Sequence, residues 1–305
     1  VSTVANALSF TNTTSGLVNI SNTIGSGNTV TVTGSNTATG VNTSITETSG
    51  SLSVGAGNIA ASTTASDVLT LTAAEALNAS GSITGHTVNL NAGTGIGTGG
   101  AVSTVASNLS FSNSTSGIVD ISNTGNTLIE GNNGSRNVTI TSSGTLGQSN
   151  IITAGTLTTT STGNTLLNLA NQVTGYSGST NTSGNVSFTD VSGGVSITGG
   201  SSAGSTTITA TAGDITLGGN FGAATQVTLD AQSGGIIGSG TNTVTAPTVI
   251  LQATSGIGSA GGANTVDTAA TNLGFSNTTS GAVNISNTGN TSLTAAGNGS
   301  RAVSI

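Results

Sequence analysis

The chain has 305 residues, of which 48 are Gly, one is Pro and none is Cys, Met or Trp, and only 4% are charged. Globular domains of this length normally carry about 25% charged residues and many large apolar side chains, so a conventional globular core is not expected. Disorder is also disfavoured, because disordered chains are rich in charge and Pro and poor in β-branched residues. The frequent Val, Ile and Thr instead predict strands joined by tight turns.

The formal net charge of −7 comes from nine acidic residues set against Arg136 and Arg301, and there is no Lys. A nucleic-acid partner is not predicted, because binding to phosphates requires a basic patch. Membrane insertion is not predicted either, since no apolar run approaches the ~20 residues of a membrane helix. The absence of Cys excludes disulfides and leaves the compartment open. The sequence starts at Val1 without a signal-peptide pattern and stops inside a repeat, so we expect a piece of a longer chain.

A repeated unit organises the sequence. Residues 108–127, NLSFSNSTSGIVDISNTGNT, return at 272–291 with four substitutions, and a third copy, LSFTNTTSGLVNISNT, occupies 8–23. Repetition of this kind indicates one supersecondary unit stacked along an axis. We number the copies in chain order as the first (around 8–23), second (around 108–127) and third (around 272–291).

Along the chain, apolar residues alternate with polar ones in short runs, which predicts half-buried strands. These alternating pairs are Leu8/Phe10, Val18/Ile20, Val30/Val32, Leu52/Val54, Leu69/Leu71 and Val88/Leu90. Equivalent apolar positions recur every ~20 residues, which fits a rung of two or three strands. The sequence therefore predicts an all-β fold, a right-handed parallel β-helix (β-solenoid) that runs through residues 1–305 as one continuous segment. About 15 rungs at ~4.8 Å would make a rod of roughly 70 Å.

Two segments depart from the alternating pattern. Residues 59–80 are rich in Ala and are predicted to form a loop-like excursion, with a short helical turn over 72–78 capped by Thr72 and Glu75. Residues 166–185, which contain Tyr176, are predicted to bulge from the shaft. Elsewhere Gly and Asn recur at predicted corners, because corners need residues that tolerate positive φ, and Asn side chains can form ladders between equivalent corners.

Several later runs have the character of β-helical rungs, namely 227–231 (VTLDA), 234–240 (GGIIGSG) and 248–258 (TVILQATSGIG). In these runs the sequence resembles the repetitive β-helical shaft of large bacterial exoproteins of the filamentous-haemagglutinin type, exported by two-partner secretion. The resemblance implies an extracellular or outer cell-surface location and a role in adhesion or matrix building. The only proline, Pro247, follows Ala246, so the Asn-Pro motifs of that family's secretion domain are missing and a shaft region is expected.

Motifs typical of enzymes occur without the context that their chemistry needs. Residues 95–100 match G-x-G-x-x-G, but no helix pattern follows and no acidic residue occupies the ribose-binding position. Residues 200–204 match G-x-S-x-G around Ser202, but a hydrolase of that kind needs a later histidine and the only one, His86, comes earlier. A single His without Cys makes no transition-metal site. No catalytic, cofactor-binding or metal-ligating residue is assigned, and no cofactor is predicted.

Carboxylates and threonines raise three further functions. Polysaccharide-cleaving β-helices need clustered carboxylates, but the aspartates lie far apart, at Asp67, Asp120, Asp190, Asp214, Asp230 and Asp267. Calcium binding is not predicted, because the G-G-x-G-x-D signature is missing. T-x-T runs at 29–33, 158–160 and 209–211 suggest ice binding, but they do not recur at the rung spacing and are interpreted as ordinary strand threonines.

We therefore expect a non-enzymatic structural shaft of a large secreted or cell-surface adhesin or fibre, whose host, cell-surface or polysaccharide receptor the sequence does not identify. A first alternative is an extracellular matrix or sheath filament whose copies join end to end through their terminal rungs, because uncapped ladders template further strands. A second alternative is a carbohydrate- or ice-binding face.

Overall fold

The computed structural model describes residues 1–258 and 264–305. Over these residues the chain is all-β without helices, and its parallel strands stack as a β-solenoid of about 14 turns that are about 21 residues apart. The parallel β-solenoid predicted from the sequence is confirmed. Contacts between Cα atoms divide the chain into two compact units, Val1–Gly155 and Thr156–Ile305, and the division falls within strand β14.

The strands are short, as expected for rungs with frequent corners. Those that begin in the first unit are β1 (Ser2–Thr3), β2 (Ala7–Asn12), β3 (Val18–Asn22), β4 (Thr29–Asn36), β5 (Thr43–Glu47), β6 (Ser51–Ala61), β7 (Val68–Ala73), β8 (Leu77–Ala79), β9 (Ser82–Ala92), β10 (Val102–Asn113), β11 (Val119–Asn123), β12 (Thr127–Asn132), β13 (Val138–Ser142) and β14 (Leu146–Ser161).

Most strands of the second unit are short as well. They are β15 (Thr165–Thr180), β16 (Val186–Asp190), β17 (Gly193–Ser202), β18 (Ser205–Ala210), β19 (Gly213–Leu217), β20 (Phe221–Ala223), β21 (Gln226–Ala231), β22 (Ile236–Ile237), β23 (Thr243–Thr245), β24 (Thr248–Ala253), β25 (Val266–Ala269), β26 (Asn272–Asn277), β27 (Val283–Asn287), β28 (Ser292–Gly297) and β29 (Val303–Ser304).

Alternation within each strand builds the core of the first unit. In β7, Leu69, Leu71 and Ala73 are buried and the residues between them are partly exposed. Each inward residue stacks on its counterpart in the next rung, in the ladder Ile20–Ile45–Leu71–Leu90–Phe111–Gly131–Ile152. Gly131 is required in this ladder, because a Cβ there would overlap the ring of Phe111. Burial of each Leu or Ile side chain contributes about 1.5–3 kcal/mol, so stability accumulates rung by rung.

The second unit has an equivalent ladder, Leu167–Phe188–Ile208–Leu229–Leu251–Phe275–Ala296. The ring of Tyr176 stacks on that of Phe188, with centroids 4.0 Å apart and ring planes at 8°. The Tyr176 hydroxyl lies 3.1 Å from Thr159 Oγ1. Burial raises the pKa of Tyr176, so the phenol stays neutral inside the core.

The two predicted excursions are mostly strand. The prediction of a helical turn over 72–78 is wrong, because β7 ends at Ala73 and β8 begins at Leu77. The Glu75 carboxylate caps no helix and accepts hydrogen bonds from Ser26 Oγ and Gly27 N of an earlier rung. Ala-rich composition misled the prediction, since Leu69 and Leu77 are fully buried in ladders. The longest connection in this segment is 62–67, and shorter ones lie at 74–76 and after Ala79.

The segment 166–185, predicted to bulge from the shaft, is mostly strand and contains two irregularities of pairing, between Leu167 and Asn171 and between Tyr176 and Ser177. Strand β15 extends to Thr180, and the departure from regular pairing with β16 is a β-bulge between Leu167 and Asn171. Tyr176, interpreted from the sequence as part of the bulge, is instead a core residue with 1% of its surface exposed. The prediction relied on alternating aliphatic residues to recognise a strand. Here a large aromatic side chain fills the core instead, so that pattern is missing.

The first and second copies of the repeat occupy different ladders of the first unit. Phe10 belongs to the ladder Phe10–Gly34–Ile59–Ile83–Thr104, whereas Phe111, its equivalent in the second copy, belongs to the ladder of Ile20 and Leu71. Four rungs beyond Phe10, its ladder reaches Thr104 instead of Phe111. The repeat and the rung therefore have different periods, and the same motif is used at two positions around the solenoid.

Candidate functional site

An Asn–Thr clamp, our name for an Asn that binds a Thr and a nearby Ala of the previous rung, closes one corner in each repeat copy. In the second copy, Asn123 Oδ1 accepts hydrogen bonds from Thr104 Oγ1 (2.9 Å) and Ala106 N (2.9 Å), and Asn123 Nδ2 donates to Ala106 O (3.3 Å). Equivalent bonds join Asn22 to Thr3 and Ala5, and Asn287 to Thr268 and Ala270. The amide thus satisfies backbone groups that leave the strand ladder at a corner.

An Asn–Arg corner uses both arginines of the chain. Asn113 Nδ2 (2.7 Å) and Arg136 Nε (3.1 Å) donate to Asn133 Oδ1, and the other guanidinium nitrogens donate to Asn113 O (2.5 Å) and Thr115 O (2.7 Å) of the previous rung. Arg301 repeats the arrangement with Asn277, Asn298 and Thr279. The predicted ladders of Asn side chains between corners are therefore confirmed, and both guanidinium groups serve to hold corners.

Two buried carboxylates also hold corners. Glu47 is 1% exposed, and its carboxylate accepts hydrogen bonds from Asn22 Nδ2 (2.7 Å), Ser49 N (3.0 Å) and Gly50 N (3.1 Å). Burial opposes ionisation of Glu47, but these hydrogen bonds outweigh it and keep the pKa below the ordinary glutamate value. Asp190 accepts from Val173 N (2.9 Å) and Ser192 N (2.9 Å), in the position that Asn holds in the clamps.

In the motifs typical of enzymes, the side chains are buried in the fold or hydrogen-bonded to neighbouring side chains. Ser202 is buried and accepts a hydrogen bond from Thr206 Oγ1 (2.9 Å), so its hydroxyl faces inward. In the 95–100 motif, Ile96 is fully buried and bridges its neighbouring rungs. His86 Nδ1 lies 3.3 Å from Thr87 Oγ1 and 3.5 Å from Asn108 Nδ2. Within residues 1–258 and 264–305, no three His, Cys, Asp or Glu residues are grouped so that they could hold a metal ion.

Outward side chains of the first unit form two rows, which we call the polar ranks. One rank is Asn19–Ser44–Thr70–Asn89–Ser110–Glu130 and the other is Ser21–Thr46–Thr72–Asn91–Ser112–Asn132. Hydrogen bonds run along a rank, as from Ser110 Oγ to Asn89 Oδ1 (2.8 Å). Only Thr70 and Thr72 form a T-x-T pair here, but hydroxyls and amides recur in register over six rungs. The result is a regular polar surface with Glu130 as its one charge.

Shallow hollows separate outward side chains in the second unit. One has a volume of about 330 Å³ and is lined by residues that include Asp230, Gln232, Gln252 and Ser276. Asp230, Gln252 and Ser276 lie in register on successive rungs. The Asp230 carboxylate is engaged by Gln232 Nε2 at 3.0 Å. The hollow is therefore a gap in a regular polar row.

Comparisons with known proteins give no relative: no family model, no curated protein and no solved structure matches the chain. Across the described residues, no helix is long and apolar enough to cross a membrane.

Proposed function

We propose that the chain is a non-enzymatic structural shaft of a large secreted or cell-surface adhesin or fibre, with an extracellular or outer cell-surface location. The observation that carries this proposal is the use of polar side chains to join one rung to the next. Asn22, Asn123 and Asn287 each hold the backbone of the previous rung, and Arg136 and Arg301 each donate to two of its carbonyl groups. Side chains committed in this way support rung stacking.

The resemblance to filamentous-haemagglutinin-type shafts supports the same proposal and the extracellular location. A repetitive solenoid serves as a spacer because each rung adds a fixed rise of about 4.8 Å and contacts only its neighbours. The scarcity of charge, at 4% of residues, suits a chain whose polar groups are largely satisfied by ladders and corners.

Deletion of one rung from the full-length gene tests the spacer role. Removing 205–225 brings Gln226 to the place of Ser205, because these two residues are paired on neighbouring rungs. We expect the deleted protein to keep its β circular dichroism and to remain on the cell surface, where antibodies against the chain label intact cells. Loss of surface labelling and of adhesion or fibre formation, with the fold retained, would contradict a spacer role for this region.

A half-rung deletion is the matched control. Removing the ten residues 205–214 brings Ile215 and Leu217, which face the core, to positions 205 and 207, which face outward. A one-sided core cannot then be maintained at this rung. This variant is expected to lose its cooperative unfolding transition. Equal tolerance of both deletions would mean that the stacking register does not matter.

The polar ranks support a second candidate, a face that binds polysaccharide hydroxyls or ordered water. Hydroxyl and amide groups in register over six rungs offer repeated hydrogen-bond partners to a repeating ligand. Replacing Thr70 and Thr72 by Val keeps the strand shape and removes two hydroxyls. Binding to insoluble polysaccharides, or inhibition of ice recrystallisation, that is lost in this variant would support the candidate, and absence of both activities in the unmodified chain would dismiss it.

A further inference from the structure

The corner after the first copy of the repeat is longer than the corresponding corners of the other two copies. Residues 21–29 read SNTIGSGNT, whereas 122–127 and 286–291 both read SNTGNT. The first corner therefore contains three additional residues, and we call residues 23–28 the extended corner. Insertions between the rungs of a solenoid form surface loops, which often carry function.

A shared hydrogen bond shows which residues are additional. Gly25 N donates to Ser49 Oγ of the next rung at 2.8 Å, and Gly125 N donates to Ser143 Oγ in the same way at 2.8 Å. The two glycines therefore occupy equivalent positions. The residues around Gly25 that have no counterpart in the second copy are Ile24, Ser26 and Gly27.

Two carboxylates bind these three additional residues. Glu47 Oε1 of the next rung accepts a hydrogen bond from Ile24 N (3.3 Å). Glu75 Oε1, which lies two rungs beyond the corner, accepts hydrogen bonds from Ser26 Oγ (2.5 Å) and Gly27 N (2.9 Å). Each additional residue thus donates one hydrogen bond to a glutamate, and the bonds to Glu75 pass over the intervening rung.

The second copy lacks the first of these glutamates as well as the insertion. Glu47 pairs with Asn22 after the first copy, and Ser142 pairs with Asn123 after the second. Ser142 Oγ donates to Gly125 O (2.9 Å), so the shorter corner is closed without a charged group. The longer corner and the carboxylate therefore occur together.

The two glutamates hold the extended corner as anions. Hydrogen bonds from Ser26 and Gly27 lower the pKa of Glu75, and they outweigh the repulsion from Glu47, the charged group that faces it. Burial raises the pKa of Glu47, but its hydrogen bonds outweigh this effect and keep the pKa below the ordinary glutamate value. Residues 1–135 contain no Lys or Arg that could neutralise the pair. The additional residues therefore depend on two charges that acid removes.

We propose that the extended corner is released reversibly at acidic pH while the rungs on both sides stay folded. Protonation of the carboxylates removes the charge that strengthens their hydrogen bonds. Since both pKa values are lowered, the stabilisation is present above the ordinary glutamate pKa and is lost as the pH falls through the folded-state values. Release uncovers the backbone at Gly50, on which the corner packs so closely that an added Cβ would lie 2.6 Å from Asn28 O. This opening does not depend on the proposed role as a shaft.

Amide hydrogen exchange, measured by NMR from neutral to acidic pH, tests the proposal. Each exchange rate is divided by that of an unstructured peptide at the same pH, so that the remaining change reports opening. The protection of Gly27 should fall roughly tenfold or more on acidification, as expected for loss of a hydrogen bond to a charged group. The protection of Gly125, whose acceptor is a hydroxyl group, should stay constant. Return to neutral pH should restore the protection of Gly27.

The variant Glu75→Gln separates the charge from the shape of the corner. Its amide oxygen can accept the same two hydrogen bonds but does not titrate, so the pH dependence of Gly27 should become several-fold weaker. The matched control is Glu130→Gln, which alters a glutamate bound to Ser149 and should keep the pH dependence of the unmodified chain. Three results would overturn the proposal: protection of Gly27 that does not change with pH, a loss shared equally by Gly27 and Gly125, or an unchanged pH dependence in Glu75→Gln.

Discussion

Two similar segments, 133–140 (NGSRNVTI) after the second copy of the repeat and 298–305 (NGSRAVSI) after the third, lie in different environments. Val138 and Ile140 are fully buried, whereas Val303 and Ile305 are 47% and 49% exposed. The corners nevertheless have nearly identical geometry, since Arg136 and Arg301 each donate to a carbonyl group of the previous rung at 2.5 Å. Apolar burial therefore needs rungs on both sides, but a hydrogen-bonded corner needs only the rung before it.

This difference separates two contributions to stability. The corner network needs only the preceding rung, whose carbonyl groups accept the hydrogen bonds of each arginine. The aliphatic ladder gains its full value only when the next rung arrives. Substitutions that are matched between the two copies can therefore measure the two contributions independently.

The largest effect is expected for Ile140→Ala compared with Ile305→Ala. Truncating the buried Ile140 removes packing and leaves a cavity, which should lower the free energy of unfolding by about 2–5 kcal/mol. The half-exposed Ile305 should lose less than about 1 kcal/mol, because little of its surface leaves water on folding. Chemical denaturation of both variants against the unmodified chain makes the comparison. Equal losses would mean that burial is not what distinguishes the copies.

A smaller effect is expected for Asn123→Ala compared with Asn287→Ala. Removal of the Asn123 amide takes away the acceptor of Ala106 N and the shorter of the two hydrogen bonds of Thr104 Oγ1, at a cost of about 1–3 kcal/mol. Asn287 is partly exposed, so water replaces some of its bonds and the loss should be smaller. Asn123→Asp, which keeps the acceptor, is the matched control. Amide hydrogen exchange of Ala106 should accelerate in the alanine variant, and an unchanged rate would argue against the clamp.

The next largest loss of stability is expected when either arginine is replaced by lysine. An ammonium group cannot reproduce the fork that joins Asn133 Oδ1 to two carbonyl groups, so we expect Arg136→Lys to lose about 1 kcal/mol. Arg301→Lys should lose a similar amount, because this corner depends only on the previous rung. Thermal denaturation of the two variants provides the measurement. A loss confined to Arg136 would contradict the one-sided nature of the corner.

The smallest effect expected is a change in how stability depends on pH. It involves the first copy of the repeat, in which the clamp residue Asn22 also donates a hydrogen bond to Glu47. Since the pKa of Glu47 is lowered in the folded state, its contribution is present above the unfolded-state pKa and is lost as the pH falls through the folded-state pKa. Glu47→Gln should therefore weaken the loss of stability on acidification. Denaturation midpoints of both proteins between neutral and acidic pH test this, and parallel pH profiles would exclude Glu47 as the titrating group.

Much of the fold could be predicted because its signals are local. The alternation in runs such as Val88/Leu90 indicates which side chains face inward, and the spacing of Ile121 and Ile140 indicates the rung length. The sequence did not reveal which ladder each copy of the repeat occupies. The rungs that follow Phe10 are longer than the average, and this shifts the second copy to another ladder. Tyr176 was misinterpreted because a single core aromatic leaves no periodic pattern.

The corners were only partly predictable. Ladders between Asn residues followed from their recurrence at turns, but the bond from Asn123 to Ala106 joins residues 17 apart, and this pairing depends on the register between rungs. A sequence signal exists in retrospect, since Thr104, Thr268 and Thr3 each precede an Ala by two positions in the three copies. Asp190 in a clamp position could not be recognised, because its segment lies outside the copies of the motif.

The arginine corners have a consequence for digestion of the chain by proteases. Trypsin-like enzymes cut after Lys or Arg, and this sequence of 305 residues offers them only Arg136 and Arg301. At Arg136 both flanking backbone groups are held, since its amide donates to Asn133 O and its carbonyl accepts from Gly155 N. A protease must bind an extended, released segment, and this one is anchored by side chain and backbone together. We therefore expect the folded chain to resist trypsin, because it offers few bonds that the enzyme can cut.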